Sequence, residues 1–290
     1  MAKQERVVLI VSFLAFILSS IKFIVALISG SVVILASALD SLFDTMFSVF
    51  NYFALKKSKS IPNKYFNYGF GKIEGMASLF EGFIIFISGI YIIYKSIVDF
   101  ISNEEVTHLN ESMAVMLFSI IATFILVFLL KNALKKSPNL ILESEILHYK
   151  SDLLSNLGVL ISLIIISFSG ISKLDSIIGG VVGIYICFSA IKIAKKGSLM
   201  LLDRTIDDKL NKEILNLLDN REDITSYHDL RSRISGSTIF LECHLVFSEN
   251  ISLLEAHSIS DKVEYEIKNL SNEYQWVILI HLDPYDDSSK

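Results

Sequence analysis

Ala38-Leu39-Asp40-Ser41-Leu42-Phe43-Asp44 sets two carboxylates four residues apart inside an otherwise apolar run. On a helix, positions i and i+4 stand one above the other on the same face, so Asp40 and Asp44 present their oxygens side by side. A single charge at a membrane helix centre costs about 2.5–3.5 kcal/mol on the insertion scale. Two like charges at this spacing also repel. A divalent cation compensates both terms at once. His148-Tyr149-Lys150-Ser151-Asp152 repeats the spacing with one imidazole and one carboxylate. Asp40, Asp44, His148 and Asp152 together offer three oxygens and one nitrogen, enough for a tetrahedral Zn²⁺. The competing reading is a buried ion pair, with Lys22 or Lys150 neutralising an aspartate.

The rest of the chain fits a membrane setting. Of 290 residues, 52% are hydrophobic and only three are proline, and the mean hydropathy is +0.54. That composition exceeds an ordinary soluble domain and predicts an integral membrane protein. Six apolar segments of membrane length follow one another, near 7–29, 32–55, 75–98, 113–134, 146–169 and 174–195. The first is too long for a signal peptide and reads as a span. Lysines gather between spans two and three (Lys56, Lys57, Lys59, Lys64, Lys72), between four and five (Lys131, Lys135, Lys136) and after six (Lys192, Lys195, Lys196). The opposite connections are short or acidic, as in Asn103-Glu104-Glu105. The positive-inside rule then places both termini in the cytoplasm. A net charge of −5 with no basic stripe argues against a nucleic-acid partner. Cys187 and Cys243 have no paired or CxxC spacing, so no disulfide framework is expected.

From about Leu201 the composition becomes that of a soluble domain. Asp207–Leu218 has helical apolar spacing, and two β-rich runs, Ile224–Ile234 and Thr238–Phe247, meet at the turn Ser235-Gly236-Ser237. A second amphipathic helix covers Ser252–Leu270, and Trp276–Leu282 reads as a last strand. The expected architecture is a six-helix transmembrane domain (1–200) followed by a small α+β domain (201–290) of order α-β-β-α-β, with helices layered on a sheet. No internal repeat is evident among the spans.

Several short motifs in fixed order carry a family resemblance. They are Gly30-Ser31 leading into ALDSLFD, YGFGKIEG (68–75), HYKSD (148–152), LLDR (201–204), HDLRSR (228–233), LEAH (254–257) and HLDP (281–284). Along nearly its whole length the chain resembles the cation diffusion facilitators of the bacterial zinc or iron efflux type. The resemblance implies a multi-pass bacterial inner-membrane homodimer with a metallochaperone-like cytoplasmic domain. It implies exchange of a divalent metal for protons, zinc first, with cadmium or ferrous iron as alternatives. Asp40, Asp44, His148 and Asp152 match the family's transport site. His228, His244, His257, His281 and Asp283 match a two-metal cytoplasmic site at the dimer interface, so Zn²⁺ is expected there as well. Lys72 and Asp203 match a charged pair that ties the membrane domains together near the hinge. A further loop site present in some members is expected to be missing, because Tyr65, Phe66 and Phe70 stand at the corresponding places.

The chemistry agrees with that implication. Carboxylates and one imidazole bind metal reversibly and take up protons when it leaves, since metal ligands must be deprotonated. An imidazole with an ordinary pKa of about 6.5 is a natural proton carrier. His281 and Asp283, two apart on a strand, share a face; Asp283 could otherwise be only a turn residue before Pro284. His257 is expected on the helix that covers that face. Cys243 alternates to the opposite face as a buried thiol. His108 reads as part of a solvated loop, and Glu74 and Glu81 as interfacial or packed against polar helix faces. Two other classes compete: a membrane-tethered metal sensor and an intramembrane metalloenzyme. The enzyme would need an open coordination position and a general base, and the chain has no HExxH or comparable signature. No catalytic role is expected, and the partners expected are a second copy, membrane lipid and divalent metal ions.

Overall fold

Six long helices come first in the computed structural model, followed by a small sheet with two helices. The structure describes residues 3–29, 32–102, 109–135, 138–169 and 173–286. His108, Gly30, Ser31, Lys136 and the stretch 103–105 lie outside them. The long helices are α1 (Lys3–Ser29), α2 (Val32–Ser58), α3 (Ile73–Ser102), α4 (Leu109–Leu134), α5 (Leu140–Ser169) and α6 (Lys173–Leu201). Several run past the apolar limits expected from composition. Lys3–Arg6, Leu140–Glu145 and Lys195–Leu201 continue their helices as polar or mixed turns, because hydrogen bonding carries on after the apolar stretch ends. The α5 start is capped by Asn139, whose side-chain oxygen accepts from the Leu142 N–H at 3.0 Å. Among the described residues, four helices are long and apolar enough to cross a membrane, at Gln4–Val25, Ile73–Ile101, Met116–Leu134 and Ser176–Leu201.

Polarity in the helical domain is inverted relative to a water-soluble bundle. Ser12, Ser19, Lys22, Ser41, Thr45, Ser48, Asn51, Glu81, Ser144 and Glu145 are buried, whereas Phe13, Phe43, Met46, Phe53, Phe83 and Phe124 are exposed. Water would penalise both choices. In lipid, apolar side chains face outward freely and polar ones turn inward to find partners.

Close packing of α3 on α6 comes from small residues. Gly75, Gly82 and Gly89 recur every seven residues on α3, opposite Gly197, Ala190 and Gly183 of the antiparallel α6. A Cβ at Gly197 would stand 2.6 Å from the Gly75 carbonyl oxygen and 2.8 Å from the Leu79 nitrogen. The two backbones touch, as small-residue seams allow in membranes.

The C-terminal domain contains α7 (Asp208–Asp219), β1 (Ser226–Ser235), β2 (Thr238–Val246), α8 (Leu253–Leu270) and β3 (Gln275–Asp283). The expected element order is observed. Asp207 caps α7, accepting from the N–H groups of Lys209 and Leu210 at 3.0 and 2.9 Å, and Ser252 caps α8. The sheet order is β1-β2-β3, with β1 and β2 antiparallel and β2 and β3 parallel. Helix α8 makes the crossover that a parallel pair requires. Ile239, Leu241, Cys243 and Leu245 of β2 join Leu210, Ile214 and Leu218 of α7 and Ile259, Val263 and Ile267 of α8 in one core. The helices therefore cover a single face of the sheet.

The two parts meet at the α2–α3 loop. A Cβ at Gly71 would lie 2.4 Å from the Ser235 carbonyl oxygen, so only glycine lets this loop touch the β1–β2 turn. Tyr68 meets Phe240 edge-on at 5.4 Å, and the Arg233 guanidinium covers both rings. Lys72 Nζ reaches Asp203 at 3.0 Å and Arg233 reaches the same carboxylate at 3.3 Å. The expected Lys72–Asp203 pair is formed.

Candidate metal centres

In the helical domain, Asp44 on α2 meets His148 and Asp152 on α5. His148 Nε2 lies 2.9 Å from Asp44 Oδ1 and 3.7 Å from Asp152 Oδ2. One ligand atom from each of the three lies within 4.8 Å of the others, a spacing that a single metal ion can bridge. Phe47 and Tyr149 flank the imidazole, with ring centroids 5.7 Å away in both cases, and fix its plane. The 2.9 Å separation is hydrogen-bond distance. A metal ion bound here would replace that hydrogen bond. Asp40 sits one turn before Asp44 on α2; its side chain is outside the described set. Lys22, raised above only as a competing charge partner, donates to Ser41 Oγ at 2.7 Å. It lines the same small cavity as Asp44 and Asp152.

The second centre is built by strand register. His228, His244 and His281 are direct cross-strand neighbours on β1, β2 and β3. Adjacent rings are 4.7 Å apart. A bulge in β1 between His228 and Arg231, with Asp229 at φ 52°, sets this register. The extra residue brings Arg231 and Arg233 onto the face His228 occupies, against simple alternation. Asp283 lies at the end of β3 with one carboxylate oxygen 2.8 Å from His244 and 3.3 Å from His228, and the other 3.0 Å from His281. A carboxylate with both oxygens aimed at imidazoles is more than a turn residue. His228, His244 and Asp283 converge closely enough to hold a metal ion.

One expected member stands apart. His257 is on α8, exposed, and paired with Asp261 at 3.6 Å. Because α8 packs on the opposite face of the sheet, it does not cover the histidines of its own chain. Cys243 alternates onto that core face, where burial pushes its thiol up to about 12, so it is inert as a ligand at neutral pH. In the α2–α3 loop, Phe66 and Phe70 contact each other at 4.9 Å and Lys57 caps the Phe70 ring at 4.0 Å. Asn63 accepts from the N–H groups of Tyr65 and Phe66.

Buried acids also lie between the membrane site and the sheet domain. Of the two readings open for Glu74 and Glu81, interfacial or packed against polar helix faces, the second is observed, and both are buried. Glu74 accepts from Ser58 and from the Leu140 N–H, and Glu81 from Asn51 and Ser144. Glu145, unremarked in the sequence, accepts from Ser48.

A polar-cored helical membrane domain holding carboxylates and an imidazole, joined to a small α/β domain, defines a multi-pass membrane protein that handles cations. Residues 8–202 match the family described as the cation efflux transmembrane domain, and residues 206–285 match the cytoplasmic domain of cation efflux proteins. The chain belongs to the cation efflux family, whose members transport divalent metal cations and are not enzymes. Its second domain is a dimerisation domain. It is 31% identical over 256 residues to the cation-efflux pump FieF of Salmonella newport (strain SL254) and of Salmonella heidelberg (strain SL476), covering 88% of this chain and 84% of each relative. It is 29% identical over 271 residues to protein p34 of Rickettsia rickettsii (strain Sheila Smith), covering 93% of this chain and 89% of that protein.

Proposed function

We propose that this protein exports Zn²⁺ in exchange for protons across a bacterial inner membrane, with cadmium or ferrous iron as secondary substrates. All six long helices span, residues 1–200 form the membrane domain, 201–290 the cytoplasmic domain, and both termini are cytoplasmic. The observation that carries the reading is the Asp44–His148–Asp152 cluster, where two helices bring oxygen and nitrogen ligands together. Asp40 supplies the fourth ligand from the turn before Asp44. Borderline ions suit an imidazole among carboxylates. Metal ligands must be deprotonated, so metal entering at His148 and the aspartates releases protons and protons entering release metal.

In the cytoplasmic domain, His228, His244, His281 and Asp283 bind Zn²⁺ at the dimer interface. Asp283 has both oxygens available to bridge two ions, and the donor set of three imidazoles and a carboxylate fits zinc. His257 joins from the partner protomer, since its own sheet lies behind it. The test is Zn²⁺ flux into vesicles reconstituted with Asp44→Ala protein. Flux falls to background while the protein stays folded and dimeric; flux near wild type at matched protein level refutes the assignment.

A further inference from the structure

We infer that Glu81, Glu145 and Asn51 form a second cation-binding station within the membrane domain, which feeds the Asp44–His148–Asp152 site from the side of the sheet domain. This rests on the transport reading. Three helices build it. Asn51 is seven residues beyond Asp44 on α2, about 10 Å toward the sheet domain. Glu145 is one turn before His148 on α5, on the same side. Glu81 comes from α3. Asn51 Nδ2 donates to Glu81 Oε2 at 3.2 Å, and Ser144 donates to the same oxygen. Ser48 donates to Glu145 Oε1, and Ser12 and Ser48 share a hydrogen bond at 2.9 Å.

Each of these donors serves one side of its acceptor. Asn51 Oδ1, Glu81 Oε1 and Glu145 Oε2 are buried and receive no hydrogen bond from the protein. Asn51 is 1%, Glu81 2% and Glu145 1% exposed. Native interiors rarely leave buried polar atoms unmatched. These three orphan acceptors sit on α2, α3 and α5, and a cation would satisfy them; the Tyr149 hydroxyl, buried without a partner as well, is the protein's own competing donor. Two carboxylates and an amide oxygen form a hard, all-oxygen set, which suits a borderline ion such as Zn²⁺ less well than a set containing an imidazole. A relay needs that weakness: the mixed site above, with its imidazole, binds borderline metals better and draws the ion onward.

Zn²⁺ uptake by vesicles carrying the full chain, measured against free Zn²⁺, tests the station. Glu81→Gln keeps the shape and removes the charge. Half-saturating Zn²⁺ rises about tenfold or more while the maximal rate stays within about twofold, because loading is impaired and not the transfer step. Mn²⁺ binding to detergent-purified Asp44→Ala/His148→Ala protein, counted by electron paramagnetic resonance, gives an independent readout. One oxygen-bound Mn²⁺ per protomer remains there, beyond any nitrogen-bound Mn²⁺ held by the cytoplasmic histidines, and adding Glu81→Gln abolishes it. If Glu81→Gln protein does not fold, Glu145→Gln with Asn51→Ala is read in the same two assays. Unchanged half-saturation, a fallen maximal rate at unchanged half-saturation, or no Mn²⁺ to lose overturns the station. Wild-type vesicles that move no Zn²⁺ strike the transport reading instead, and the Mn²⁺ count still decides the station.

Discussion

His148 is the only nitrogen among the ligands proposed for the membrane site, and it sits between two carboxylates with its ring held by Phe47 and Tyr149. Replacing it by aspartate keeps the number of ligands and makes the set wholly oxygen, which favours Mn²⁺ over Zn²⁺. We expect His148→Asp to raise the Mn²⁺ to Zn²⁺ flux ratio in vesicles by about tenfold or more, equivalent to about 1.4 kcal/mol. A folded, dimeric variant with an unchanged ratio would show that His148 does not choose the metal. At this site the nearness of Asp44, His148 and Asp152 was legible in part because the spacing is local: His148 and Asp152 lie four residues apart in apolar surroundings. The buried acids beneath it were not. Glu81 meets Asn51 and Ser144 across 30 and 63 residues, and Glu145 meets Ser48 across 97. No local spacing betrays a glutamate whose partners are on other helices.

At the scale of elements, composition identifies apolar helices but not which of them touch. The seven-residue recurrence of Gly75, Gly82 and Gly89 is present in the sequence, yet it acquires meaning only opposite Gly183, Ala190 and Gly197. Gly197→Leu drives a side chain into the Gly75 carbonyl and the Leu79 backbone, and neither can move without shifting α3. Overpacking of that kind costs about 1–3 kcal/mol, or more where backbone must give. The expected result is a lower unfolding temperature in detergent and a smaller cross-linking yield between cysteines placed on α3 and α6; wild-type values for both would contradict the seam. The β1 bulge is a similar case. Alternation in HDLRSR puts His228 and Arg233 on opposite faces, and the extra residue at Asp229 returns them to one. The same parity argument, applied without the bulge to β2, correctly put Cys243 in the core.

The whole molecule explains why His257 was misplaced: helix-on-sheet was expected, but the face that the helices cover is the apolar one. The histidine ladder is left on the other face, graded from His228 (side chain 11% exposed) through His244 (34%) to His281 (65%). The function proposed above closes this open ladder with a second protomer. Replacing His228 and His281 together by alanine should lower the Zn²⁺ bound per protomer and shift the monomer–dimer balance toward monomer at low protein concentration, because a metal that binds the assembly stabilises it. Equal stoichiometry by equilibrium dialysis would remove the ladder from consideration. One tie between the sheet domain and the membrane helices is Asp203. Burial alone would raise its carboxyl, but Lys72 and Arg233 outweigh that and hold it below the ordinary 3.8. A carboxylate depressed in the folded state adds stability above its unfolded value and loses it as pH falls through the lower folded value. The pair is half exposed, so its worth is on the order of 1 kcal/mol or less. Asp203→Asn should therefore lower the unfolding temperature at neutral pH by at most about 4 °C. The gap between variant and wild type should stay constant down to about pH 4 and close only below it, once the wild-type carboxylate is protonated and resembles the amide. No gap at neutral pH, or one that does not close in acid, would show that the Asp203 charge does not tie the two domains together.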